Sequence, residues 1–242
     1  MKILIPTRGR PHKQITAGAF LSAKIEFTLV RTESDSSVYD DKYPQIFAPV
    51  TDICEKRNWI FDNFPSQKIF VIDDDVSFLR VISGRTVPAG PRDLEKIIEL
   101  VDRALDTYAH VGIAHRFMID KRKQPFELNA RILHTLGYNL SLFSDPAPRF
   151  RMKTCSDIDV TMQIMASGRQ TMSITEYCHS DGQYRAPGGC NTWRTDASIL
   201  EGHRELQRLW PDYVKLREGP DKPGGVLATI YFKKFARDCG LE

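Results

Sequence analysis

The sequence predicts an α/β protein with a Rossmann-like, mostly parallel central sheet flanked by helices. Three observations predict it. Lys68-Ile69-Phe70-Val71-Ile72 is a short, continuous apolar run, as expected of a parallel strand covered on both faces. The first 76 residues read strand, helix, strand, helix, strand, the order of a βαβαβ half-sheet. Polar clusters follow the first and third of these strands, where open α/β sheets bind their ligands.

Ile3-Leu4-Ile5 is the first buried strand, stopped by Pro6. Phe27 to Val30 is the second. Between Asp52 and Phe64, apolar residues recur at helical spacing (Ile53, Ile60, Phe61, Phe64), with Arg57 on the same side. Asp52-x-x-Glu55 marks the start of that helix and Pro65 its end. Pro91 to Tyr108 is an amphipathic helix and Val111 to Ala114 a strand. Tyr138 to Phe143 reads as a further strand behind a basic loop. Ser156 opens a helix as its N-cap, and Gly168 closes it. Met172 to Glu176 is a strand ending near His179, Asp181 to Cys190 a Gly/Pro-rich loop, and Ala197 to Trp210 a last helix. The tail after Lys222 has a mixed pattern.

With 242 residues, no internal repeat and no long linker, one domain is the economical reading. It divides into a nucleotide-binding half over 1–76, an acceptor-side half over 77–190 and a C-terminal helical extension over 191–242. Lys and Arg number 34 against 31 Asp and Glu, so net charge neither identifies nor excludes a nucleic-acid binder. No apolar run reaches the roughly 20 residues of a membrane helix. The five cysteines form no C-x-x-C pair, which excludes zinc-ribbon and disulfide-scaffold readings. Reduced, scattered thiols and an N-terminus too short in its apolar run for a signal peptide place the protein in the cytoplasm, that of a host cell if the chain is phage-encoded.

Four constellations carry chemistry. Three adjacent carboxylates, Asp73-Asp74-Asp75, sit at the mouth of a buried strand, and ionised together they repel unless a cation screens them. Chain alternation puts Asp73 and Asp75 on one side, an oxygen pair suited to Mg²⁺ or Mn²⁺ on a substrate diphosphate, with Asp74 opposite. In Ser156-Asp157-Ile158-Asp159, acids favour the first helical turn, and one carboxylate aimed into the cleft would serve as a general base. His179 is a third metal ligand for the acid cluster, and Gly188-Gly189 would admit backbone to a bound phosphate. Thr7, Arg8 and Arg10, with Arg57, supply hydroxyls and guanidinium forks for a nucleotide.

The order of these pieces resembles the nucleotide-sugar-dependent glycosyltransferases of the GT-A fold. In that family a D-x-D motif holds the metal on the donor diphosphate, and Asp73 and Asp75 match it. An acidic helix start supplies the base of inverting members, matched by Asp157 or Asp159, and a late histidine matched by His179 completes the metal site. The resemblance implies Mn²⁺ or Mg²⁺ and a nucleotide-sugar donor, most commonly a UDP-sugar. The opening Ile5-Pro6-Thr7-Arg8-Gly9-Arg10-Pro11 and the compact size further resemble the phage TET/JBP-associated glycosyltransferases. That likeness implies a modified cytosine, such as 5-hydroxymethylcytosine in double-stranded DNA, as acceptor. In support, residues 116–153 hold eight basic against three acidic residues, interleaved with Phe117, Phe126 and Phe150. Nothing in the sequence points to a protein partner or a membrane. Two other readings stay open: a nucleotidyltransferase on a related sheet, against which stands the single glycine of the first loop, and a non-enzymatic nucleic-acid-binding module.

Overall fold

The computed structural model describes residues 1–65, 67–121, 124–143, 145–181, 194–219 and 221–241. The expected half-sheet is present. Strands β1 (Lys2–Pro6), β2 (Thr28–Thr32), β3 (Gln45–Ala48) and β4 (Lys68–Ile72) lie parallel in the order β3-β2-β1-β4. Helices α1 (Ile15–Ser22) and α2 (Ile53–Asn63) make the crossovers. The Asp52 side chain accepts from the Glu55 amide and Glu55 reaches back to the Asp52 amide, the capping box read from sequence.

After β4 come the hairpin β5 (Ser77–Ile82) and β6 (Arg85–Pro88), helix α3 (Pro91–Ala104), β7 (His110–His115), β8 (Phe126–Leu128), β9 (Thr135–Asn139), helix α4 (Ser156–Ala166) and β10 (Thr171–Ser180). The whole sheet runs β3-β2-β1-β4-β9-β7-β10-β5-β6, with β8 against β10. β9 is antiparallel to both neighbours, whereas β7 and β10 are parallel to one another. The chain then adds α5 (Asp196–Leu209), an antiparallel pair β11 (Val214–Glu218) and β12 (Val226–Ile230), and α6 (Phe232–Asp238). The C-terminal extension is therefore mixed rather than helical throughout. Among the described residues, no helix is long and apolar enough to cross a membrane.

Alternation along the strands divides the core between two faces. Ile3, Ile5, Phe70 and Ile72 pack with Phe20 of α1 and Ile97 and Val101 of α3. Leu4, Ile69 and Val71 pack with Ile60 and Phe61 of α2 and Val160 and Ile164 of α4. Helix α4 is buried along nearly its whole length because its other side meets Leu206, Val214 and Phe235 of the C-terminal segment.

Several boundaries differ from the sequence reading. The strand expected over 138–143 lies three residues earlier, because Asn139 caps a single helical turn over Leu140–Leu142 and Gly137 belongs to the strand. A Cβ on Gly137 would stand 2.8 Å from the Val111 carbonyl oxygen, so only glycine lets β7 and β9 approach this closely. Strand β10 runs on to Ser180 and takes His179 with it. Helix α3 stops at Ala104, short of Tyr108.

His110, fully buried in β7, stacks on Tyr138 at 4.4 Å between ring centroids, and its Nδ1 lies 2.8 Å from the Gly137 carbonyl oxygen. Burial pushes its pKa down to about 4. The unfolded chain, with an ordinary imidazole near 6.5, binds a proton there that the folded chain refuses. Stability from this site is thus complete above about pH 6.5 and lost as pH falls through about 4. Urea unfolding at pH 7 and 4.5 should show His110→Gln losing about 2 kcal/mol less than the parent over that interval.

Candidate active site

A cleft of about 490 Å³ opens beyond the carboxyl ends of β1 and β4. The loop after β1 and the acid triad after β4 form one wall, and His134 with the start of α4 forms another. The third comes from α5 and β12, through residues such as Ile199, His203 and Leu227.

The triad is not divided by strand alternation, because β4 ends at Ile72: Asp73 meets Arg57 and His134, whereas Asp74 and Asp75 share Arg10. Asp74 is buried and turned back into the protein, where its oxygens take the Thr7 hydroxyl at 2.5 Å and Arg10 Nη1 at 2.8 Å. Burial pushes its pKa up to about 6 despite those partners. The same Arg10 nitrogen reaches Asp75 at 2.7 Å. Thr7 also accepts from Gln14 at 2.9 Å, so Thr7, Arg10 and Asp74 form the buried footing of the triad. All three line the cleft, with Thr7 Oγ1, Arg10 Nη1 and both Asp74 oxygens engaged with one another or with Gln14 and Asp75. Arg8 is exposed at the cleft edge, with Nη1 2.6 Å from the Thr51 carbonyl oxygen.

Arg57 occupies the centre. It projects from α2, is 5% exposed, and sends Nη2 to Asp73 at 2.9 Å and Nη1 to Asp157. The two carboxylates named from distant parts of the sequence are therefore one guanidinium apart. Burial opposes its charge, but Asp157 and Asp73 raise the Arg57 pKa above the usual guanidinium range. Asp157 lines the cleft, and its second oxygen accepts the His134 amide at 3.3 Å.

Asp159 faces the other way. Its oxygens take Arg151, Gln163 and Trp210 Nε1, each within 2.9 Å, and it is fully buried outside the cleft. Of the two acids considered for a base, Asp157 alone reaches the cleft. Ser156 is not the N-cap either: Cys155 holds that position at φ 59°, and Ser156 Oγ accepts from Arg57 at 3.3 Å.

His134 is the residue that sequence reading missed. Its backbone is left-handed, at φ 58°, which bends the chain so that its carbonyl oxygen accepts the Asp73 amide at 2.9 Å. Its Nδ1 lies 2.8 Å from Asp73 Oδ2. Burial works against its charge, yet Asp73 prevails and pushes its pKa up to about 9. Between Arg57 and His134, Asp73 is held well below the usual carboxylate range against the opposing effect of burial.

His179 stands behind this layer. It is fully buried, does not line the cleft, and has Nδ1 3.0 Å from the Ile113 carbonyl oxygen. Its ring centroid is 5.7 Å from that of His134 and 5.0 Å from that of His115. His115 Nε2 pairs with Asp181, which lines the cleft, at 2.7 Å. His179 Nε2 is buried and has no hydrogen-bond partner among the described residues. Two carboxylates and an open imidazole nitrogen are the donor types that suit Mg²⁺ or Mn²⁺, so the residues fit such an ion in kind. Among the described residues, no three such side chains converge on one point, and Asp73 and Asp75 are turned onto Arg57, His134 and Arg10 instead.

Gly188, Gly189 and Cys190 lie outside the described residues. The basic stretch over 116–153 is partly absorbed by structure. Arg149 pairs with Asp62 and Arg151 with Asp159, while Phe150 belongs to the core. Phe117 and Phe126 are exposed.

Residues 1–188 match the TET-Associated Glycosyltransferase family. The chain belongs to this family. This TET-associated glycosyltransferase is 23% identical to the beta-glucosyl-HMC-alpha-glucosyl-transferase of Enterobacteria phage T6, over 77% of this chain and 73% of that protein. The enzyme of the same name from phage T2 is 22% identical over the same shares. Among solved structures, glucosyl-3-phosphoglycerate synthase from Mycobacterium tuberculosis with Mn²⁺, UDP and glucosyl-3-phosphoglycerate aligns at TM-score 0.52 and 7% identity, over 95% of this chain and 86% of that chain. Its complex with Mg²⁺ and UDP aligns at 0.51 and 9% identity, over the same shares. These likenesses are of fold, and they place the TET-associated glycosyltransferase in the GT-A architecture.

Proposed function

We propose that the protein transfers a sugar from a UDP-sugar, with a divalent metal, to the hydroxyl of a hydroxymethylcytosine-derived base in DNA. The observation that carries the reading is the Arg57 bridge, which holds Asp73 beside Asp157 in one cleft. The names of the phage T6 and T2 relatives support the choice of acceptor. The UDP held by the fold neighbours, with Mn²⁺ or Mg²⁺, supports the donor.

In this reading Asp73 and Asp75, with His179, hold Mn²⁺ or Mg²⁺. The bound ion supplies positive charge to the leaving diphosphate. Arg57 and the His134 amide fix the Asp157 carboxylate from two directions, and each oxygen keeps lone-pair capacity for an acceptor hydroxyl. In an inverting transfer Asp157 takes the hydroxyl proton as general base; in a retaining one it orients the hydroxyl. Leu227 and Ile199 supply apolar lining to the cleft.

The test is a thermal-shift screen of nucleotide sugars with and without Mn²⁺. A UDP-sugar present at a hundred times its Kd should stabilise the fold by about 2.7 kcal/mol, and only in the presence of metal. Incubation of that donor with hydroxymethylated DNA should then yield a glycosylated nucleoside by mass spectrometry, with UDP released. Pyrophosphate in place of UDP, or DNA binding with no donor response, would overturn the proposal.

A further inference from the structure

Arg131 lies between β8 and β9 and borders both the main cleft and an adjoining cavity of about 220 Å³ that also holds Lys233. Its Nε is buried without a hydrogen-bond partner, and among the described residues no carboxylate pairs with it. Arg194, on the same cleft, also has an unpartnered buried Nε. What sets Arg131 apart is the lack of an ion pair: Arg57, whose Nε is likewise without a hydrogen-bond partner among the described residues, sends its Nη groups to Asp73 and Asp157, Arg10 reaches Asp74 and Asp75, and Arg8 a carbonyl. Asp157 acts on Arg131 only through its charge, with no ion pair between them, and a part-buried cation so poorly matched is relieved by an anion that arrives with a ligand.

Phe117, beside Arg131, is 58% exposed. Its ring centroid lies 4.2 Å from that of His115, which pairs with Asp181 in the cleft, and 5.9 Å from the Arg131 guanidinium carbon. An exposed aromatic ring beside a guanidinium that has no ion pair among the described residues is the pairing that a nucleotide chain engages, ring on ring and phosphate on cation. Both residues come from the β7–β9 side of the sheet, whereas the carboxylates assigned to metal and donor diphosphate follow β4.

We infer that Phe117 and Arg131 form the acceptor subsite of the DNA, with Arg131 pairing the phosphodiester of the nucleotide that enters the cleft and Phe117 stacking on a neighbouring base. This rests on the transferase reading above and specifies how the acceptor is held.

Transfer to a hydroxymethylated oligonucleotide and its binding by fluorescence anisotropy test the assignment over a range of salt. Arg131→Met should raise the oligonucleotide KM about tenfold and reduce the salt slope of binding by about one. Phe117→Ala should weaken oligonucleotide binding by about tenfold with the slope unchanged. Arg131→Lys and Phe117→Trp should recover most of each loss, which separates recognition from misfolding. With free 5-hydroxymethyl-deoxycytidine, which has neither phosphodiester nor neighbour, the penalties should shrink to less than about twofold. If Arg131→Met weakens UDP-sugar binding without DNA as much as it weakens DNA, the guanidinium serves the donor and the inference fails. Unchanged salt slope and KM in Arg131→Met would sink it as well. A parent enzyme that glycosylates the free nucleoside but ignores the oligonucleotide would refute the subsite alone; one that binds no donor and modifies neither would refute the transferase reading.

Discussion

Asp75→Asn is expected to lower transfer by about a thousandfold while leaving the fold intact. The substitution is isosteric, and Asp75 keeps 17% of its side chain in solvent, with Arg10 as its ion-pair partner. Removing its charge therefore leaves no buried group stranded, and Arg10 retains Asp74. What is lost is one of the two oxygens proposed for the metal. Asp74→Asn is the matched control. Asp74 is buried on Thr7 and Arg10, so its amide strands a hydrogen-bond partner and should cost about 1–3 kcal/mol of stability. Its loss of rate should remain much smaller than that of Asp75→Asn. Steady-state rates over a Mn²⁺ titration, with urea unfolding of both variants, separate the two effects. Equal rates for Asp75→Asn and the parent, with metal still required, would remove Asp75 from the metal site.

Strand alternation could not sort these three acids, because β4 ends at Ile72 and Asp74 and Asp75 share one Arg10 nitrogen. The βαβαβ half, by contrast, was legible: strands covered on both faces leave continuous apolar runs such as Lys68 to Ile72, and the Asp52–Glu55 box is written within four residues. Residues two apart on a helix differ by about 200° in direction, so Asp157 and Asp159 could never both face one cleft. That geometry, applied to the sequence, would have separated them. The β5–β6 hairpin left a weaker signal in Ser83-Gly84, whose φ values of 49° and 77° make the two-residue connection. Edge strand β3 is short and half-exposed, and carries no pattern of its own. His134 had no local signature. Its role comes from a left-handed backbone and from the approach of a loop 61 residues beyond Asp73 in the chain. His179 was marked near the end of a strand; the extension of β10 to Ser180 makes it part of that strand and buries it, with Nε2 left without a hydrogen-bond partner among the described residues.

Arg57→Met should have the largest effect on stability, a loss of about 3–5 kcal/mol. The guanidinium is the shared cation between Asp73 and Asp157, and Phe150 packs against it with its ring centroid 5.2 Å from the guanidinium carbon. Without it two part-buried carboxylates face each other, with Arg131 acting on Asp157 only through its charge and the His134 imidazole reaching Asp73 rather than Asp157. Arg57→Lys restores one positive charge but not the fork. A single ammonium cannot occupy both Nη positions, so the stability should largely return while the spacing of Asp73 and Asp157 relaxes. The rate should then fall through kcat rather than through KM for the acceptor, because a loosened base alters geometry in the transition state more than ground-state binding. Adding Asp157→Asn to Arg57→Met removes one of the stranded charges. The double variant should therefore recover a good part of the lost stability, a coupling of about 1–3 kcal/mol in a double-mutant cycle followed by urea unfolding. It should remain inactive, since neither the fork nor the carboxylate is left to orient the acceptor hydroxyl. An additive cycle, or an Arg57→Met variant with the parent's denaturation midpoint, would show that the two acids are kept apart by something other than Arg57.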